Sequence, residues 1–238
     1  MNILSTRRRF FLVFCFILIN AFLVVGFLVI RDATSINKLK KEINELTKLS
    51  ITKDRYNRKI KTTGGYAVVE ESIKSYLDSY AVGVQDINTL IHDPKLTSIL
   101  SYDNYLEDGP DFQNSIAYLK ESRAVFNQEI DELLKDLERD SIMYHIYGRT
   151  NNSYYISFYE QFMFDGDVTD DLYQSKDLFR KTKIKVNGVY DTSLDVLNFL
   201  VTYNDSWKLE DGQIKFATEE LCEYYNNLIA KLETKKDE

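Results

Sequence analysis

Polar positions stop at Arg9, and the chain then runs FFLVFCFILINAFLVVGFLVI over residues 10–30, 21 positions without a charge and with one amide, Asn20. As an α-helix rising about 1.5 Å per residue, this run spans about 31 Å, close to the ~30 Å hydrocarbon core of a bilayer. A helix packed in a soluble core keeps one polar face, which this run lacks. The pattern predicts a transmembrane helix.

Past the apolar run, Ile36, Leu39, Ile43 and Leu46 fall three and four apart, one stripe of a helix continuing out of the membrane. Ser50 and Lys53 occupy the next stripe positions, so the stripe lasts two heptads. A weak coiled-coil homodimer through this stalk, aided by tethering to one membrane, is expected. The polar stretch from Lys53 to Lys61 is followed by Thr62-Thr63-Gly64-Gly65, a helix break and the expected domain boundary.

Helical spacing then dominates. Val69, Ile73, Tyr76, Tyr80, Val84, Ile87 and Ile91 predict a long amphipathic helix that stops at Asp93-Pro94, where Asp93 caps and Pro94 opens a short helix to Leu100. Residues 101–110 read as a loop with an Asp108-Gly109-Pro110 turn, and Asp111 as the cap of a second long helix. That helix puts Ile116, Leu119, Val125, Phe126, Ile130, Leu133 and Leu137 inward and ends near Asp140. A short helix from Ser141 to Tyr147 stops at Gly148, and an aromatic one follows from Ser153 to Phe164. Thr169 is the expected cap of a third long helix reaching about Tyr203, with Leu172, Phe179, Val186, Leu194, Leu197 and Val201 inward and a kink near Gly188.

The period changes to two at Trp207-Lys-Leu-Glu-Asp-Gly-Gln-Ile-Lys-Phe216, and Asp211-Gly212 at its centre predicts a β-hairpin. Thr218 then caps a last helix with Glu219 and Glu220 in its first turn and Leu221, Tyr225, Leu228, Ile229 and Leu232 inward. The expected fold is all-α: a single N-terminal transmembrane helix, a helical stalk, then an antiparallel helical bundle with one small hairpin near the C-terminus. Its expected parts are a cytoplasmic tail (residues 1–9), a signal anchor (10–30), a basic stalk (31–61) and an acidic domain (62–238).

Charge sharpens this layout. The net charge of −7 over 238 residues divides into +3 for residues 1–30, +6 for 31–61 and −16 for 62–238. A basic stalk suits an anionic membrane surface that repels the acidic head. Nucleic acid is excluded as a partner of the head, because phosphate neutralisation needs a basic face. Two cysteines, one inside the apolar run, and two histidines supply neither a disulfide framework nor a multi-cysteine zinc site.

The anchor reads as uncleaved. The run exceeds the 7–15 residues of a signal h-region and no A-x-A-like site follows it. Cys15 lies too early for a lipoprotein box, where Phe14 also replaces the small residue needed, and Arg7-Arg8 alone does not make a twin-arginine signal. Basic residues flank both ends: Arg7, Arg8 and Arg9 on one side, Arg31 and later lysines on the other. The three arginines directly abut the run, whereas Arg31 is next to Asp32. This places the N-terminus in the cytoplasm and the domain outside.

Candidate chemistry is sparse. Asp165-Gly-Asp167-Val-Thr169-Asp170-Asp171 invites a calcium loop, but Asp170 stands where an EF-hand needs Gly and Lys176 where it needs Glu. His92 reads as a cation at a helix C-terminus, His145 as a packed member of an aromatic cluster and Cys222 as a small core residue. Asp191-Thr192-Ser193 sits in a helical pattern rather than the strand and loop of an acid protease. No phosphate-binding loop, nucleophile elbow, zinc-protease motif or dinucleotide fingerprint is present. A non-enzymatic protein without cofactor or metal is expected.

The residues that stand out are aromatic. Tyr154, Phe158 and Phe162 share one stripe with Tyr155 and Tyr159 beside it, an arc wide enough to serve either as core or as a binding platform. In outline the layout resembles single-pass anchored helical proteins of bacterial envelopes. The expectation is an outward-facing interaction protein of the cell envelope, held in the lipid bilayer and binding a protein or cell-wall partner through Tyr154, Tyr155, Phe158 and Tyr159. The alternative is a sensory or regulatory subunit that binds a small ligand and, with only a nine-residue tail, acts through a membrane partner.

Overall fold

Gly64, at φ +64°, turns the chain into the first long helix, α1 (Gly65–Ile91). This computed structural model describes Lys38, Lys41, residues 59–164 and residues 167–237. Along α1 the expected stripe is buried at Val69, Ile73, Tyr76, Tyr80 and Ile87, and Tyr66 and Leu77 join it. Asp93 caps α2 (Pro94–Ser98) as the sequence predicts, its Oδ1 accepting the Lys95 N–H at 2.8 Å.

Residues 101–110 depart from the expected loop. Ser101 Oγ accepts the Asn104 N–H at 3.2 Å and Asp103 lies in the first turn, so a short helix, α3 (Tyr102–Asp108), forms where the turn residues predicted none. It buries Tyr105. The second long helix, α4 (Gln113–Asp136), is not capped by Asp111. Asp108 does that work from the end of α3: its Oδ2 accepts the Ser115 N–H at 2.7 Å and its Oδ1 the Asn114 N–H at 3.3 Å. Burial raises the affinity of this carboxyl for a proton, but the bonds from Ser115 and Asn114 outweigh it and hold its pKa below the ordinary aspartate value.

Two short helices follow as expected, α5 (Arg139–Tyr147) and α6 (Ser153–Phe164). The third long helix, α7 (Asp167–Thr202), opens ahead of Thr169 and continues as helix through Gly188 without a break. Glycine costs a helix interior about 1 kcal/mol relative to alanine. The buried residues of the following turns, Tyr190, Val196, Leu197 and Leu200, offset that cost by about 1.5–3 kcal/mol each. Val125 of α4, expected inward, is exposed, and Val186, Leu194 and Val201 of α7 are only half-buried.

The hairpin is as the sequence predicts. Strands β1 (Trp207–Glu210) and β2 (Gln213–Phe216) pair antiparallel, with Trp207 opposite Phe216 and Glu210 opposite Gln213. Asp211 (φ +53°) and Gly212 (φ +77°) both occupy the left-handed region that a two-residue turn with matching twist requires. Thr218 then opens α8 (Glu219–Asp237), its Oγ1 accepting the Leu221 N–H at 3.4 Å. The described chain is thus a mostly helical bundle with one small hairpin near the C-terminus.

The chain divides into two units. The first comprises the described parts of Asn2–Gln85 and Asp131–Phe179, and its core includes Val69 and Ile73 of α1, Ile142 and Ile146 of α5, and Tyr159 and Phe162 of α6. The second comprises Asp86–Ile130 and the described part of Arg180–Glu238, with Leu119, Phe126, Tyr190, Leu197 and Leu200 buried. The apolar run of residues 10–30, its flanking Arg7, Arg8, Arg9 and Arg31, and the stripe positions Ile36, Leu39, Ile43 and Leu46 lie outside the described residues. Among the described residues no helix is long and apolar enough to cross a membrane.

Candidate binding surface

The start of α6 is set by its Asn152 turn. Asn152 Oδ1 accepts the Tyr154 N–H at 3.0 Å, while the Asn152 N–H is held by Thr150 Oγ1 at 3.1 Å. Tyr154 therefore stands in the first turn of the helix, 51% exposed. Its ring stacks on Phe158 at 6.3 Å and meets Tyr155 edge-on at 5.2 Å, and its hydroxyl lies 3.4 Å from that of Tyr66.

Burial divides the four aromatic candidates. Phe158 and Tyr159 are core residues, which corrects the expectation that they belong to a platform. Phe158 is closed off by Tyr66 edge-on at 5.8 Å, and the Tyr159 hydroxyl donates to the Ile142 carbonyl at 3.0 Å. Tyr155 is half-buried, its ring laid over the backbone of Gly65 so closely that a Cβ there would overlap it. What faces solvent is Tyr154, with Phe158 and Tyr66 as its floor and Tyr155 as its edge. Tyr144 and Tyr147, three residues apart on α5, add two more exposed phenols to the same unit.

Between them His145 points inward, its Nδ1 2.9 Å from Ser75 Oγ and its ring edge-on to Tyr76 at 5.7 Å. Burial, and then the nearby Arg149 guanidinium, push its pKa below the usual histidine value, so the ring is neutral at pH 7. It acts as a packed, hydrogen-bonded side chain, as the sequence predicts. His92 Nδ1 bonds the Asn88 carbonyl at 2.8 Å, at the C-terminal end of α1. Cys222 is half-buried rather than part of the core, and accepts a 3.5 Å contact from Asn226 Nδ2. Asp191 is paired with Arg123 at 2.7 Å, and Thr192 Oγ1 donates to the Gly188 carbonyl, leaving that triplet in a helix and engaged.

Two arrangements escaped the sequence. Glu70 is fully buried in α1 beside the equally enclosed Lys74, 2.6 Å away. The Glu70 carboxylate also accepts the Lys61 N–H at 3.1 Å, the Thr62 N–H at 2.8 Å and the Thr62 hydroxyl at 2.6 Å, and Lys74 Nζ donates to the Lys59 carbonyl at 2.9 Å. This pair ties residues 59–62, the end of the expected stalk and the first residue of the expected domain, to α1 within the first unit. A legible signal was present: Glu70 follows Tyr66 by four and precedes Ile73 by three, on the buried stripe itself.

The second missed arrangement lies in the other unit. Phe199 of α7 touches Tyr203 and Tyr224 at 5.0 Å each and Phe216 of β2 at 5.9 Å. The rings continue through Tyr225, whose hydroxyl is 3.0 Å from that of Tyr105. Sequence spacing could not bring α7, the hairpin and α8 together, so only the tertiary fold reveals the group.

Chemically these surfaces offer ring faces and phenolic hydroxyls. Among the described residues no group of three His, Cys, Asp or Glu side chains could hold a metal ion. Comparison with protein-family models, with curated proteins and with solved structures gave no match.

Proposed function

We propose that this chain is a single-pass, membrane-anchored protein of a bacterial envelope whose outward-facing helical head binds a protein or cell-wall partner. The observation that carries the reading is the run of 21 uncharged residues, 10–30, directly behind Arg7, Arg8 and Arg9. The half-exposed Tyr154 on its aromatic floor supports the second part. A rigid phenol offers large contact area at low entropic cost and keeps a hydroxyl for hydrogen bonding. Tyr155 lines this face, and Phe158 and Tyr159 support it from below.

The test replaces Tyr154 with a photo-crosslinking phenylalanine analogue in intact cells, with the same analogue at exposed Thr97 as control. One discrete adduct from position 154, absent from position 97, supports the binding face. Equal, diffuse labelling from both positions contradicts it. Phe158→Ala is uninformative about binding, because truncating a buried phenylalanine costs about 3–5 kcal/mol of stability.

A further inference from the structure

The second unit carries an aromatic face whose charge selects its occupant. Tyr203 is 42% and Tyr224 55% exposed, and both rings rest on Phe199 at 5.0 Å. The segments that present them, residues 186–207 and 216–230, contain no lysine or arginine. They contain six carboxylates, of which Asp205, Glu219, Glu220 and Glu223 lie on the chain immediately flanking the two tyrosines and are exposed. The nearest lysines in sequence are Lys208 of the hairpin for Tyr203 and Lys231 of α8 for Tyr224, with Lys215 of the hairpin next, so the four flanking carboxylates stand against one lysine outside the hairpin. Lys208 is bound to Glu210 at 2.6 Å, and Lys215 to Glu210 and Asp211 at 3.1 and 3.0 Å.

We propose that the Tyr203–Phe199–Tyr224 face binds an arginine- or lysine-bearing polypeptide segment. An aromatic face attracts a cation lying over it, and surrounding carboxylates raise the local concentration of positive charge. Arginine fits best, because its planar guanidinium stacks on a phenol while its N–H groups reach carboxylates. The tyrosines supply the contact and the carboxylates supply the sign. This proposal makes no use of Tyr154 and stands or falls independently of the function proposed above.

The test uses the full chain in detergent micelles and a fluorescein-labelled peptide of alternating arginine and glycine, read by fluorescence anisotropy. A matched peptide with citrulline in place of arginine removes only the charge. The arginine peptide binds and the citrulline peptide does not; Tyr203→Ser and Tyr224→Ser each weaken binding about threefold and together about tenfold. Because each ring also packs on Phe199, these variants lower the melting temperature modestly, and binding is read well below it. Glu223→Gln, which leaves the aromatic group intact, weakens binding as well, and Tyr154→Ser leaves it unchanged. Binding that survives loss of both tyrosines, equal binding of the citrulline peptide, or no binding at all overturns the proposal.

Discussion

The Glu70 carboxylate and the Lys74 ammonium lie 2.6 Å apart one helical turn from each other, both enclosed by the first unit and both bonded to the strap of residues 59–62. Burying two charges costs several kcal/mol per ion, and the pairing is favourable only because the remaining hydrogen-bond capacity is filled by Lys61, Thr62 and Lys59. Removing one partner therefore matters more than removing both. Glu70→Gln is expected to destabilise the fold by about 3–5 kcal/mol, and Glu70→Gln combined with Lys74→Met to recover a large part of that loss. Urea unfolding of the three variants checks it; a double variant as unstable as Glu70→Gln would contradict the account.

The same pair sets an acid limit. Burial raises the Glu70 pKa, but the bonds from Lys74, Thr62 and Lys61 outweigh it and bring it below the ordinary 4.5. A depressed folded-state value contributes stability above the unfolded pKa and loses it as the pH falls through the folded one. That loss lies below pH 4.5.

His145 acts at a higher pH. Its folded pKa is below the ordinary 6.5, from burial and from Arg149, so the neutral ring is the one the fold accommodates. The sign is that of a depressed group: full contribution above pH 6.5, lost on acidification through the folded value. Stability should fall as the pH drops below about 6.5 in the wild type and fall less in His145→Gln, measured by urea midpoints on stepwise acidification. Identical slopes in both proteins would show that the ring titrates without coupling to folding.

The hairpin turn tests backbone strain. Gly212 at φ +77° has open space where a Cβ would go, so Gly212→Ala meets only the left-handed backbone penalty. The expected cost is about 1–2 kcal/mol in thermal or urea unfolding. Asp211→Gly at φ +53° should be near neutral, because relief of the same penalty is offset by loss of the exposed Lys215 pair and by the greater freedom of glycine in the unfolded chain.

Between α4 and α7 the amides of Asn127 and Asn187 exchange hydrogen bonds, at 2.8 Å one way and 3.0 Å the other, with Arg123 Nε adding a third bond to Asn187 Oδ1 at 2.9 Å. Asn127→Leu should cost about 1–3 kcal/mol by stranding the partner amide. A double-mutant cycle with Asn187→Leu should give a coupling above about 0.5 kcal/mol; additive losses would show that the pair does not act as a unit.

These elements also show what a sequence makes legible. Local signals carried through where the chemistry was local: the stripe of α1, the Asp93 cap and Pro94 start of α2, the Asp211-Gly212 turn and the Thr218 cap. Residues 101–110 form a helix and not the expected loop because turn-forming residues also cap helices, as Ser101 and Asp103 do here. Asp108 rather than Asp111 caps α4 because the chain doubles back between α3 and α4, a relationship that spacing alone does not encode. Gly188 stays helical because tertiary packing outweighs a propensity penalty of about 1 kcal/mol. Of the candidate platform, spacing found the aromatic arc but could not tell its wet edge, Tyr154, from its buried floor, Phe158 and Tyr159. The Phe199 group depends on three elements meeting in space, and no one-dimensional pattern announces it.

The central claim is the anchored, outward-facing topology, and one labelling experiment bears on it most directly. A Ser50→Cys variant, in a Cys15→Ser and Cys222→Ser background because Cys222 is half-buried rather than enclosed, is treated in intact cells with a membrane-impermeant maleimide, with lysed cells as the positive control. The account predicts that the protein sediments with membranes and is labelled in intact cells to the same extent as after lysis. Labelling only after lysis, or a protein that stays in the supernatant, would contradict it.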